Sequence, residues 1–301
     1  MDLTQSQKME LSSLAGEVLF DEPMKEHTSF QIGGNADALI EAGSVDEIRT
    51  VSSWCKENGV RALVMGNGSN MLVSDEGIRG VVIKIGAKLS ACRAEGEMLY
   101  AESGILLSKL SKFALSNSLS GLEFAAGIPG TLGGGVFMNA GAYGGEMKDV
   151  VKSVTYLDEA GNLQTAGCEQ LAFGYRKSMF SSGGKTILSC EMELKKGNPQ
   201  TIKEDMAEYN RRRAEKQPLS MPSAGSTFKR PGGYFAGKLI QDAGLKGYRI
   251  GGAQVSEKHT GFVINAGGAT AQDVMDLIEY IQKTVKEKFG VTLEPEVRVI
   301  R

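Results

Sequence analysis

Residues 121–145 are the densest glycine stretch in the chain, centred on Gly127-Ile128-Pro129-Gly130-Thr131-Leu132-Gly133-Gly134-Gly135 and continuing through Asn139-Ala140-Gly141-Ala142-Tyr143-Gly144. The stretch has little helical or strand periodicity, and a loop of that length inside a folded domain is usually functional. Positions without side chains let a large, flat ligand lie against bare backbone. A flexible linker would seldom carry Ile, Pro, Phe and Met among its glycines. The 39 glycines of the 301 residues cluster instead of spreading evenly, which marks the clusters as places of close backbone approach.

A second cluster, Gly66-Asn67-Gly68-Ser69-Asn70, follows the apolar run 62–65, where bare amides and small polar side chains could ring a pyrophosphate. It is not a dinucleotide fingerprint, because the third glycine of G-x-G-x-x-G would fall on Met71 and the expected helix is replaced by Met71-Leu72-Val73 and an acidic turn at Asp75-Glu76. From these five residues alone, a tight turn and a phosphate loop stay equally open. A third cluster, Gly183-Gly184-Lys185-Thr186, imitates the end of a Walker A loop, but the motif's first glycine would fall on Met179, which rules out that reading.

The composition, 41% hydrophobic and 23% charged, provides apolar material for two or three compact units. A formal net charge of -2 argues against a nucleic-acid partner and leaves phosphate binding to local amides and cations. Cys55, Cys92, Cys168 and Cys190 form no C-x-x-C pair, and only His27 and His259 add imidazole, so no metal site is expected. The four cysteines are expected to be reduced and mostly in the core. The first 20 residues mix charged and apolar side chains in neither a signal-peptide nor a membrane-span pattern, so a cytoplasmic protein with no membrane partner is expected.

Ser44 and Glu47 have capping-box spacing, Ile48, Val51 and Cys55 follow at helical intervals, and Gly59 supplies a stop. Apolar runs at 38–42 and 62–65 bracket that helix in a strand, helix, strand unit, and a strand over 81–85 follows. Leu106, Leu110 and Phe113 mark a second helix. A hairpin joins 154–157 to 163–165, a strand covers 186–194, and a polar helix covers 202–216. Beyond the turn-rich residues 218–225 come short strands near 253–255 and 262–265. A last helix starts at Thr270 and Asp273, buries Val274, Leu277, Ile278, Ile281 and Val285, and ends at Gly290.

Three further segments stand in order with the two large glycine loops: Phe173-Gly174-Tyr175-Arg176, Gly225-Ser226-Thr227-Phe228-Lys229 and Leu293-Glu294-Pro295-Glu296-Val297-Arg298. In these five motifs the chain, from about His27 to its C-terminus, resembles the UDP-N-acetylenolpyruvoylglucosamine reductase (MurB) family. The resemblance implies an α+β chain with an FAD-binding fold of the vanillyl-alcohol-oxidase/PCMH type and a separate substrate-binding domain. The implied division is residues 1–85 and 86–215 as two FAD-binding subdomains and 216–301 as the substrate-binding domain, its C-terminal segment returning to the flavin.

Gly66, Asn67, Gly68, Ser69, Asn70, Gly127, Ile128, Pro129, Gly130, Gly133 and Gly134 are the implied FAD contacts. The implied activity is that of an FAD-containing, NADPH-dependent oxidoreductase that reduces UDP-N-acetylglucosamine enolpyruvate to UDP-N-acetylmuramate, a peptidoglycan precursor. Reducing a carbon–carbon double bond beside a carboxylate needs a hydride donor, a cation for the carboxylate and an acid for the far carbon. Arg176, Ser226 and Glu296 match the family's catalytic positions. Arg176 with Glu296 would stabilise the developing negative charge, and Ser226 would donate the proton, a role credible for so weak an acid only in a dry site. Apart from the motifs, the three residues read as a surface cation, a loop hydroxyl and a solvated carboxylate.

Lys216 matches a substrate-contacting position, although the run Arg211, Arg212, Arg213, Lys216 by itself reads as a solvated helix face. Lys229 is a second candidate substrate contact. Phe228-Lys229-Arg230-Pro231 departs from the F-K-N-P of one branch of the family, and that branch's tyrosine-bearing loop has no counterpart. The chain therefore resembles the shorter, second type, for which the residues closing the UDP pocket cannot be carried over. Two rival readings are an FAD-dependent oxidase of the same fold and a nucleotide-sugar or flavin binding protein without turnover.

Overall fold

The computed structural model describes residues 2–301. The chain divides into two compact units, one made of Met1–Phe20, Ala38–Asn67 and Gly80–Arg213, the other of Asp21–Asp37, Gly68–Arg79 and Ala214–Arg301.

The first unit opens with α1 (Gln5–Leu14), where Thr4 and Gln7 close a capping box. Helix α2 (Val45–Glu57) starts at Ser44, whose hydroxyl accepts the Glu47 amide at 3.1 Å. The expected box is not closed there, because the Glu47 carboxylate instead accepts the amides of Gly16 and Gly43 at 2.8 and 2.6 Å. Trp54 on α2 donates its indole N–H to Glu10 of α1 at 3.0 Å. A sheet of order β1 (Leu19–Pro23), β2 (Asn35–Glu41), β5 (Ile78–Lys84), β3 (Ala62–Met65) carries these helices. The strand–helix–strand unit is present, but β5 separates its two strands and pairs with β3 in parallel, Ala62 opposite Val81.

An antiparallel sheet follows in the order β12 (Leu163–Gly167), β11 (Val151–Leu157), β13 (Thr186–Glu193), β7 (Met98–Glu102), β6 (Cys92–Glu95). Helices α3 (Leu107–Ser116) and α4 (Leu132–Phe137) share its core, with Leu99, Leu107, Leu110, Leu132, Val136 and Phe180 all buried. Helix α4 rises inside the glycine-rich stretch that periodicity left as loop. Thr131 caps it, and Gly133 is demanded by close packing, since a Cβ there would lie 2.9 Å from the Cβ of Ser103. Two short ladders, β8 (Leu119–Ser120) with β14 (Lys195–Lys196) and the hairpin β9 (Gly141–Ala142) and β10 (Gly145–Glu146), complete this unit with most of α5 (Pro199–Lys216).

In the second unit β4 (Met71–Val73) pairs in parallel with the terminal strand β18 (Arg298–Ile300). A three-stranded antiparallel sheet of β15 (Arg249–Ile250), β16 (Ala253–Val255) and β17 (Val263–Asn265) packs with α6 (Ala236–Asp242) and α7 (Ala271–Phe289). Helix α7 buries Val274, Leu277, Ile278, Ile281 and Val285, each contributing on the order of 1.5–3 kcal/mol of apolar burial. Its Thr270–Asp273 box is closed, Gly290 ends it at φ 71°, and Asp75 accepts the amides of Ala271 and Gln272 at 2.7 and 3.0 Å.

All four cysteines are free. Only Cys55 and Cys190 are buried, however, so half of them and not most lie in the core, Cys92 and Cys168 being partly exposed. No helix among the described residues is long and apolar enough to cross a membrane.

Candidate active site

In the first unit Gly66 and Asn67, the start of the first glycine loop, meet the second loop. The Asn67 side-chain amide donates to the Pro129 carbonyl at 2.7 Å, and a Cβ on Gly66 would collide with the Thr131 hydroxyl, so that approach requires glycine. A Cβ on Gly127 would likewise lie 2.7 Å from Asn210 Oδ1 and 3.0 Å from Arg213 Cδ on α5. Beside these loops is a cavity of about 200 Å³, lined by Gly66, Asn67, Lys84, Gly86, Lys109 and Thr131 among others. That is below the roughly 300–1,000 Å³ of pockets that enclose whole drug-sized ligands, so it suits one portion of an extended ligand.

Three observations fit FAD. The amides of Asn67, Gly130 and Thr131 have no acceptor among the described residues. The Ser103 hydroxyl, beneath Gly133, is buried without a partner among the same residues. Lysines at the cavity supply positive charge for phosphates. Bare amides, an unsatisfied hydroxyl and cations against side-chain-free backbone are the donor set that a dinucleotide diphosphate requires.

Arg176 occupies a two-residue turn closed by mutual hydrogen bonds between Gly174 and Lys177 at 2.9 and 3.2 Å. Its φ of 55° puts a long side chain where glycine is favoured, a strain of about 1–3 kcal/mol of the kind that gathers at functional sites. The half-buried side chain directs Nη2 to the Gly141 carbonyl at 3.3 Å. Nearby, Lys148 at 3.0 Å holds the Glu146 carboxyl below its ordinary range, helped by Asn139 and by the charge of Arg176.

Ser226 and Glu296 lie in the second unit on paired segments. Phe228 stands opposite Pro295 in an antiparallel bridge, Lys229 donates its amide to Glu294 at 2.8 Å, and Glu296 donates to Thr227 at 2.8 Å. Thr227 is anchored behind them, its amide donating to the Gly261 carbonyl at 2.9 Å and its hydroxyl accepting the Val263 amide at 2.8 Å. The Ser226 hydroxyl is exposed and has no protein partner among the described residues. Asn70, the last residue of the first glycine loop, donates to the Glu296 carbonyl at 3.1 Å and accepts the Arg298 amide at 3.0 Å. Nothing local in the sequence signals that tie. Lys229 pairs with Glu294 at 3.2 Å, and Lys216 is exposed at the end of α5. Sequence reasoning also missed Gln217, whose buried Oε1 lacks a donor among the described residues.

A family profile described as "FAD binding domain" matches residues 36–167, and one described as "UDP-N-acetylenolpyruvoylglucosamine reductase, C-terminal domain" matches residues 217–300. The chain is thus an FAD-binding oxidoreductase of the α+β, PCMH-type class with a separate C-terminal domain. Among its relatives, UDP-N-acetylenolpyruvoylglucosamine reductase of Caldanaerobacter subterraneus subsp. tengcongensis is 54% identical over 285 residues, covering 95% of this chain and 94% of that protein. The reductase of that name from Clostridium perfringens is 52% identical over 301 residues, covering 98% and 99%. The crystal structure of UDP-N-acetylenolpyruvylglucosamine reductase (MurB) from Thermus caldophilus superposes with a TM-score of 0.81 at 35% identity, covering 95% of this chain and 98% of that one. This chain belongs to the UDP-N-acetylenolpyruvoylglucosamine reductase family.

Proposed function

We propose that this chain catalyses the NADPH-dependent reduction of UDP-N-acetylglucosamine enolpyruvate to UDP-N-acetylmuramate with bound FAD. It would act in the cytoplasm, in peptidoglycan precursor synthesis and hence in cell shape and division. The observation that carries this reading is the Ser226–Glu296 juxtaposition: two motifs far apart in sequence fold onto segments paired through the Phe228–Pro295 bridge, held from behind by Thr227 and Asn70. Relatives bearing the reductase name over nearly their whole length supply the substrate class.

FAD, when bound, supplies the hydride relay between NADPH and the enolpyruvyl double bond. Gly66 to Asn70, with Gly127, Ile128, Pro129, Gly130, Gly133 and Gly134, hold it by backbone amides and by the absence of side chains. Arg176 holds the substrate carboxylate by its guanidinium and, with Glu296, stabilises the negative charge that builds up as the double bond is reduced. Ser226 donates its hydroxyl proton to the carbon bearing the ether oxygen. Lys216 and Lys229 contact the nucleotide-sugar substrate. The two profile matches support a flavin-holding portion followed by a substrate-binding domain that begins near residue 216.

The test is an anaerobic absorbance trace of the purified protein. Adding NADPH should bleach a yellow flavin, and adding the enolpyruvyl substrate should restore the colour. Bleaching without return would favour an oxidase or a binding protein, and a protein unable to take up FAD would overturn the flavoenzyme reading.

A further inference from the structure

We propose that Asn139 is the positioning residue that aims Arg176 at the substrate, an inference that rests on the carboxylate-holding role given to Arg176 above. Asn139 is 0% exposed and holds φ at 42°, a left-handed conformation that glycine adopts freely and asparagine tolerates better than most other residues. Its side chain makes three hydrogen bonds. Nδ2 donates to the Gly174 carbonyl at 3.1 Å and to Glu146 Oε2 at 2.8 Å, and Oδ1 accepts the Lys148 amide at 2.9 Å.

These partners bracket Arg176. Gly174 begins the turn that carries its backbone, and Glu146 stands opposite Gly141, whose carbonyl receives its guanidinium. One buried side chain therefore fixes both the base of Arg176 and the strand that catches its head. The catching hairpin is braced independently at its tip. Tyr143 and Gly144, at φ 53° and 93°, form the two-residue loop that such a hairpin needs, and the Tyr143 ring stacks on Tyr209 of α5 at 4.6 Å and 6°. Glycine, or an asparagine facing solvent, would meet the backbone conformation alone; this side chain is instead buried and makes three hydrogen bonds. The amide is present because it ties two segments whose shared feature is Arg176.

The test uses the FAD-loaded protein and follows the two half-reactions separately. Asn139→Gly keeps the left-handed backbone and removes the side chain. It should slow substrate-dependent flavin reoxidation about 10- to 100-fold, the scale of a misplacement near 1 Å, and leave FAD content and NADPH-driven reduction unchanged. Asn139→Asp, which keeps size and the Lys148 contact but removes both donated bonds, should show the same selective loss.

In a double-mutant cycle, Asn139→Gly should add no further loss on an Arg176→Ala background. Additive losses would overturn the inference, as would loss of bound FAD in both Asn139 variants, which would make Asn139 a residue of the fold alone. If Arg176→Ala by itself left the substrate half-reaction intact, the reading of Arg176 would fail, and that outcome is distinct from additivity.

Discussion

The backbone N–H of Glu296 donates to the carbonyl oxygen of Thr227 at 2.8 Å, so the carboxylate-bearing residue is clamped to the immediate neighbour of Ser226. A hydroxyl presented from an anchored segment can deliver a proton to one carbon repeatedly. Ser226→Ala should therefore slow return of the flavin colour by about 10²–10⁴-fold and leave bleaching by NADPH intact, as read by anaerobic stopped-flow absorbance. Equal loss of both phases would remove Ser226 from the proton-donor role.

Gly66 and Thr131 test the cofactor cradle. A methyl group at residue 66 collides with the Thr131 hydroxyl, and overpacking of this kind costs about 1–3 kcal/mol. Gly66→Ala should lower both the unfolding midpoint and FAD retention after gel filtration. Adding Thr131→Ala should restore part of each, and a double variant no better than the single one would argue against the collision.

His259 links acidity to the scaffold of Ser226. Burial lowers its pKa from the ordinary 6.5, and its Nδ1 accepts the Gly261 amide at 3.1 Å. The carbonyl of Gly261 in turn accepts the amide of Thr227. Because the unfolded chain takes up the proton first, this contribution to stability is full above about pH 6.5 and is lost as pH falls from there through the lowered folded value. Denaturant midpoints should fall on acidification through that window, and His259→Asn, which keeps an acceptor but cannot titrate there, should flatten the dependence. Parallel curves for the two proteins would exclude His259.

The cysteines should divide by reactivity. Burial pushes the Cys55 thiol up to about 11 and the wholly enclosed Cys190 thiol further in the same direction. A thiol reagent added to the native protein should modify only Cys92 and Cys168 on the time scale of mixing, with Cys55 and Cys190 reacting upon unfolding. Peptide mapping that found Cys190 modified in the native state would contradict the packing described.

Local patterns were legible where local physics decides. The ends of α7 follow from Thr270, Asp273 and Gly290, and the hairpin of β11 and β12 appears where predicted, Leu157 opposite Leu163. Patterning failed where distant groups outbid neighbours. Glu47 leaves its own helix cap for Gly16 and Gly43, and α4 hides among glycines, of which Gly133 lacks a side chain because Ser103 lies against it. The site divides in the same way. Arg176, Ser226 and Glu296 were legible as motif positions, but the strain at Arg176 and the bonds that Asn70 makes to the Glu296 segment depend on pairings that no spacing rule reaches.

The acceptor for the first amides of α7 is Asp75, 196 residues upstream of Ala271, and β4 waits for β18 across a similar interval. During synthesis, residues 68–79 leave the ribosome long before the helix and strand that will use them. The second unit therefore closes only after residues 271–300 have been made. A ribosome stalled before codon 271 would leave both Asp75 and the edge of β4 unsatisfied, so residues 271–300 control when this unit first becomes whole.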